Sequence, residues 1–465
     1  MINMNKRLIP LTLLPLLLAG CSMAPDYQAP STGVAASYPQ AAAQAAPVAD
    51  LGWRDFFLDD GLRGLIDQAL AQNHDLAVAS ANVERARALY RVQRADQLPN
   101  VTAGASATRA RVNEPVTQTG NQYQVNAGIT AFELDFFGRV RNLSDAALES
   151  YFATAAARET ARLALVAEVA NAYLTLLADR EQLALTERTF NAQKESYDLV
   201  KLAFDRGARS LLELRQAETT LETARANLAA FRRQVALDEN ALTLLVGSPV
   251  TVAGDKVLGE EGSLLVPALP EGLPSDLLTR RPDIAQAEHN LRAANANIGA
   301  ARAAFFPRIG LTSALGTAST SLSGLFEGGS KVWNVGADAS LPIFDFGRTQ
   351  SNLDVAKADR DIAVANYQGA VRTGFREVAD ALAARATLDD QVAAQTALVT
   401  ATRETYTLSK ARYDRGVDSY LQVLDAQRSL YAAESSLIIL RQQRLSNLVT
   451  LYKALGGGLS DRAPA

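Results

Sequence analysis

Hydrophobic and polar residues alternate at period two in four stretches of this chain. Along 101–110, Val101, Ala103, Ala105 and Ala107 alternate with Thr102, Gly104, Ser106 and Thr108. Along 123–131, Tyr123, Val125, Ala127, Ile129 and Ala131 alternate with Gln124, Asn126, Gly128 and Thr130. A second pair sets Ile309, Leu311 and Leu315 against Gly310, Thr312 and Gly316. It then sets Trp333, Val335, Ala337, Ala339, Leu341 and Ile343 against Asn334, Gly336, Asp338 and Ser340. Period two predicts strands, and an apolar face backed by a small polar one predicts two different solvents. The rest of the periodic chain is helical. Residues 59–96 read as helix until Pro99 stops them. From Arg139 to Phe204 no proline intervenes, which predicts one or two stacked helices of roughly 100 Å at 1.5 Å rise per residue. After Gly207 the chain returns from Leu211 to Val246; a twin runs from Arg348 to Arg415, turns at Gly416 and returns to Leu455.

That order is written twice. Asp135-Phe136-Phe137-Gly138-Arg139 returns as Asp345-Phe346-Gly347-Arg348, and Asp205-Arg206-Gly207 returns as Asp414-Arg415-Gly416. Gly138 to Gly347 and Gly207 to Gly416 are both steps of 209, while Asp75 to Asp283 and Pro99 to Pro307 are steps of 208. So long a period is a duplicated domain and not a solenoid.

Four strands of a soluble sandwich would be the bland reading. Against it, the strands are about 10–12 residues long, as tilted membrane strands are. Aromatics (Phe132, Phe136, Phe137, Trp333, Phe344, Phe346) also gather near their ends, as an interfacial belt requires. Four strands cannot stand open-edged in hydrocarbon, so other copies must complete a barrel. Two copies would give eight strands with a filled interior, and three would give twelve with room for a pore. The small lumen-facing residues favour the hollow form.

The N-terminus places the chain outside the cytoplasm. Lys6-Arg7, the apolar run Leu8–Leu18 and Leu18-Ala19-Gly20-Cys21 form an export signal with a lipoprotein cleavage site, which predicts that Cys21 carries a diacylglycerol and an N-acyl (palmitate-type) chain. Ser22 in place of Asp directs such a lipoprotein to the outer membrane by its resemblance to sorted lipoproteins. Cys21 is the one cysteine, so no disulfide is expected in the mature chain. A formal charge of −4 gives no nucleic-acid footprint. The two histidines, His74 and His289, lie in helical runs with no metal or nucleophile partner, so no enzyme is expected. After the signal no run of 18 apolar residues suggests a membrane-spanning helix. Residues 22–50 read as an extended tether.

The boundaries that follow are 1–20 signal peptide, 21–50 lipidated tether, 51–98 first helices, 99–135 first β-hairpin and 136–247 first long helical hairpin. Then come 248–274 linker, 275–306 second helices, 307–345 second β-hairpin, 346–456 second long hairpin and 457–465 tail.

These motifs together carry a resemblance. Cys21-x3-Pro25-x-Tyr27-x2-Pro30, Trp53-x2-Phe56-Phe57-x-Asp59 and Asn73-x-Asp75-Leu76 stand in the first half. Arg280-Arg281-Pro282-Asp283-Ile284-x2-Ala287-Glu288, Phe306-Pro307-x-Ile309-x-Leu311 and Pro342-Ile343-Phe344-x2-Gly347-Arg348 stand in the second. The chain resembles the TolC-like outer-membrane factors, in their OprM-type efflux lipoprotein branch. The resemblance implies a homotrimer with four strands per chain in a twelve-stranded outer-membrane barrel, continued by an all-α antiparallel coiled-coil tunnel. It implies a periplasmic adaptor (membrane fusion) protein and an inner-membrane pump of the RND type as partners. The function implied is multidrug efflux of small molecules; type I protein secretion or heavy-metal efflux through the same fold is the alternative.

In that family the tunnel closes just past the tip of the second hairpin. Here Val417, Leu421 and Asp425 fall at i, i+4 and i+8, hence on one helix face, and around a threefold axis each would form a ring. A solvated Asp425 and an ordinary seam Leu421 are the plainer alternative. Asp205, Arg206, Asp414 and Arg415 are candidate latch charges, and the tips that Gly207 and Gly416 turn are the candidate adaptor contact. In the first copy the gate positions hold Ala208, Leu212 and Gln216, so the acidic ring belongs to one copy only.

Overall fold

The computed structural model describes residues 22–35, 38, 51–112, 118–252, 258, 264–265 and 280–458. Cys21, the expected lipidation site, and most of the 248–274 linker lie outside the described residues. The helices are α1 (Trp53–Phe56), α2 (Asp60–Gln72), α3 (His74–Ala95), α4 (Arg139–Asp205), α5 (Leu211–Val246), α6 (Pro282–Ala303), α7 (Arg348–Asp414) and α8 (Tyr420–Ala454). The strands are β1 (Val101–Val112), β2 (Gln118–Glu133), β3 (Arg308–Ser319) and β4 (Lys331–Ser340). The chain divides into two compact units, with 22–31, 81–155 and 286–368 in the first. The duplication is visible in the elements, since α4 and α7 are each 67 residues long and start 209 positions apart.

Unit one is built on a four-stranded antiparallel sheet in the order β1-β2-β3-β4. The two hairpins of the repeat join along β2 and β3, where Tyr123 pairs with Ser319 and Ile129 with Ser313. The register shifts between Ile129 and Phe132, and Ala131 turns to φ 52° there, the signature of a bulge that bends the strand. Glycine is required on this seam: a Cβ on Gly128 would sit 2.0 Å from the Ser313 carbonyl oxygen, and one on Gly316 2.1 Å from that of Val125. Every residue of β4 is exposed, Trp333 and Val335 among them. The strand stops at Ser340, short of the alternation read as far as Ile343, because Pro342 has no N–H to continue a ladder. Of the expected aromatic belt, Phe344 and Phe346 are exposed, but Phe137 stacks on Phe306 at 4.6 Å.

The repeated Asp-Phe-Gly-Arg motif starts the long helices. Asp135 accepts from the Arg141 amide at 2.7 Å, and Asp345 accepts from the amides of Thr349 at 2.9 Å and Gly347 at 3.0 Å. Both satisfy otherwise orphaned N–H groups of a first helical turn. The hydrogen bonds from Thr349 and then Gly347 hold the Asp345 carboxyl below its usual range. Gly138 and Gly347, at φ 73° and 84°, make the turn before each helix.

Residues 22–31 are extended, as expected, yet they are held along their length. Ser22 Oγ donates to Asn142 Oδ1 (2.8 Å), Asn295 Nδ2 to the Pro25 carbonyl (2.7 Å), Tyr27 OH to Glu288 Oε1 (3.1 Å) and Gln368 Nε2 to the Ser31 carbonyl (3.0 Å). Gly299 of α6 makes room, since a Cβ there would lie 2.7 Å from the Ala24 nitrogen. This stretch, read from composition as an extended tether, is a docked strap. Burial, then the charge of Glu288, raise the Tyr27 hydroxyl to about 12. His289 is also engaged here, with Nδ1 2.6 Å from Glu149 Oε2.

Unit two holds the helical core. The single helical run read over 59–96 breaks at Asn73, whose side chain accepts from the Leu76 amide (3.0 Å) and donates to the Leu245 carbonyl (2.9 Å). Asp59 caps α2 at the Leu62 amide (2.7 Å) and accepts from Tyr173 OH (3.2 Å). Phe56 stacks on Tyr452 at 4.4 Å. One stretch of α4 is long and apolar enough to cross a membrane by composition, but 61 % of it is buried. Val169, Tyr173, Leu174, Leu176 and Leu177 are core residues of this unit. Phe57 bridges to Leu265 of the linker.

Candidate gate and tip site

Both hairpin tips, in unit two, close the same way. Gly207 at φ 74° donates to the Phe204 carbonyl and Ala208 to that of Ala203, each at 2.8 Å. Gly416 at φ 75° donates to Tyr413 (2.9 Å) and Val417 to Arg412 (3.0 Å). Both are Schellman turns, which need a left-handed residue and so favour glycine. The returns differ. Ser210 and Glu213 form a full capping box on α5, whereas Ser419 makes no side-chain cap on α8. Asp418 instead takes two hydrogen bonds from Arg412, at 2.5 and 2.9 Å, which hold its carboxyl below the usual range.

The three gate candidates separate. Leu421 and Asp425 lie on the exposed face of α8, with Leu421 52 % exposed. Val417, 62 % exposed, stands in the turn before the helix begins at Tyr420, so the expected single helix face holds two of the three. The reason is local: the Schellman turn consumes Gly416 and Val417 before α8 can start. Asp425 also has a partner that i, i+4 reasoning passed over, Arg428 Nη2 at 3.6 Å. A ring of Asp425 would thus carry a ring of arginines beside it, and its self-repulsion is smaller than carboxylates alone would give.

The four latch charges are not joined across the hairpins in the single chain. Asp414 pairs with Lys410 of its own helix at 2.9 Å, and among the described residues Asp205, Arg206 and Arg415 form no ion pair. Tyrosines hold the tips together instead. Arg209, paired with Glu213 at 3.2 Å, lies 4.7 Å from the Tyr413 ring; Tyr413 and Tyr420 pack at 5.4 Å; and Tyr420 OH meets Ser196 Oγ at 2.9 Å. Val200, Ala217, Tyr420, Val423 and Leu424 form the core beneath them. Burial raises both tyrosine hydroxyls. Tyr406 and Tyr413 fall seven residues apart on α7, the period of a packed helical seam, but Tyr420 lies beyond the turn on α8, where spacing along the sequence does not place it with them.

The family model described as "Outer membrane efflux protein" matches the chain twice, over residues 65–248 and 273–457. The antibiotic efflux pump outer membrane protein ArpC of Pseudomonas putida is 46 % identical over 466 residues, covering 98 % of this chain and 96 % of ArpC. Among solved structures, a membrane protein from Pseudomonas aeruginosa superposes with a TM-score of 0.90 at 43 % identity, covering 95 % of this chain and 99 % of that one. The open state of the Neisseria gonorrhoeae MtrE outer membrane channel superposes with a TM-score of 0.87 at 40 % identity, covering 94 % and 99 %.

Proposed function

This chain belongs to the outer membrane efflux protein family, and from that premise we propose that three copies close a twelve-stranded pore and pass small toxic molecules outward. The observation that carries this reading is the sheet. Among the described residues β1 and β4 each pair on one side only, and β4 exposes Trp333 and Val335. Such edges and such a face are tolerable in a bilayer only when neighbouring copies close the ring. Cys21 anchors each chain by its lipid, and a periplasmic adaptor at the tips hands over cargo from an inner-membrane pump of the RND type. Leu421 and Asp425, with Val417 at the turn, narrow the tip end. Between small-molecule cargo and the protein or metal alternatives, identity to a protein named for antibiotic efflux supports the first.

Planar-bilayer recording on purified protein of known subunit number tests this. Trimers are expected to conduct poorly, and Leu421→Ala to raise conductance several-fold. A monomer in detergent, or silence even in the combined Leu421→Ala and Asp425→Ala variant, sinks the reading.

A further inference from the structure

A cleft of about 260 Å³ lies in unit two between α4, α5 and α8. Its wall is rich in threonine, but the threonine donors are spent. Thr186 and Thr189 donate to carbonyls of α4, and Thr219, Thr220 and Thr223 to carbonyls of α5. Tyr431 OH stands 3.0 Å from Thr186 Oγ1, and with the threonine proton committed to the Gln182 carbonyl the tyrosine is the donor. Asn227 and Gln427, which also line the cleft, are half-buried and reach solvent, and Gln193 is the buried exception to this economy. It lines the cleft, is 5 % exposed, and its Oε1 is buried with no partner. An unpaired buried amide oxygen is a standing cost that an incoming hydrogen-bonding group relieves.

The surroundings select what that group is attached to. No carboxylate lines the cleft, and Arg428 at its edge is exposed beside Asp425. A cation would lose water there without a counter-ion. A purely apolar molecule would leave Gln193 unpaired. A hydroxyl both donates and accepts, so it matches the amide whichever way its terminal torsion turns. Ala224 and the Tyr431 ring supply apolar wall, and since a cavity of about 150 Å³ holds benzene, the space takes one substituted ring.

We propose that this cleft is a binding site for a one-ring aromatic alcohol of the phenol class, its hydroxyl paired with the Gln193 amide and its ring against Ala224 and Tyr431. A molecule there touches three helices at once and stabilises their packing by mass action. The site sits in the helical wall and needs no conduction, so its failure leaves the pore reading untouched.

The test titrates phenol and toluene separately into the purified full-length protein in detergent, by equilibrium dialysis against a detergent blank. Saturable binding of phenol is expected, roughly fivefold to tenfold tighter than toluene, the worth of one hydrogen bond to an otherwise unpaired group. Gln193→Leu should bring phenol down to the toluene level and leave toluene unchanged, and Ala224→Phe should abolish both. Absence of saturable phenol binding, equal affinities for the two probes, or phenol binding indifferent to both variants overturns the site. The two-probe comparison on the unaltered protein decides the matter even if a variant misfolds.

Discussion

Asp179 of α4 and Asp238 of α5 are neighbours in unit two, and burial beside a second carboxyl disfavours the charged form. Asp238 Oδ2 is buried with no donor, Gln234 Nε2 donates to Oδ1 at 2.9 Å, and neighbouring Arg180 is paired with Glu239 at 2.8 Å. Burial, then Asp238, push Asp179 up to about 7. The folded chain therefore keeps a proton that the unfolded chain has released, from near the ordinary carboxylate value up to about pH 7. Stability from this pair is greatest at the acid end of that window and falls as pH rises through it. The melting temperature should drop by a few degrees between about pH 5 and pH 8, and Asp179→Asn, which donates without titrating, should flatten that slope. An unchanged slope in the variant rules the pair out as its source. Arg281 shows what a paired buried charge does at the same scale. With 8 % of its side chain exposed, it bridges Asp283 (2.7 Å), Glu377 (2.7 Å) and the Ala454 carbonyl (2.9 Å). Arg281→Met leaves these acceptors without their donor and should cost about 3–5 kcal/mol in chemical denaturation; a loss below about 1 kcal/mol, the worth of a surface pair, would mean that water replaces it.

Among the elements, the β2–β3 seam is the least tolerant. It joins the two halves of the duplicated chain, and it does so across Gly128 and Gly316, where any Cβ meets strand backbone. Gly316→Val should prevent the two hairpins from pairing, seen as loss of assembled, heat-resistant oligomer in outer-membrane extracts. Wild-type levels of oligomer would show that the seam can shift register. These glycines were legible as part of the small polar face, but their necessity was not. The close approach of strand backbones at this seam is a tertiary event. The strap teaches the same lesson from the other side. Its Ala/Pro/Ser composition carries no periodicity, so only its hydrogen bonds to Asn142 and Glu288, and those it accepts from Asn295 and Gln368, reveal that it is docked.

For the molecule as a whole, the duplication gives two hairpins per chain and hence a quasi-sixfold arrangement of tips in a trimer. The copies differ at the proposed gate, where Asp425 and Arg428 stand together on α8. Removing the arginine should strip the proposed acidic ring of its neighbour and make the pore more cation-selective, while Asp425→Asn should make it less so. Reversal potentials in a salt gradient measure both, and identical values would place Asp425 away from the conduction path. The sequence by itself determined the strands, the long helices, the repeat and the turns, because periods of two and 3.6 and the punctuation by glycine and proline are local properties of the chain. It also reached the family through motifs that span both halves. Only the tertiary structure decided that tyrosines and not the four tip charges join the hairpins, that residues 22–31 are strapped down, and that Gln193 faces a cleft without a partner. Those facts depend on which side chains meet across helices far apart in sequence, and no single-chain periodicity records such meetings.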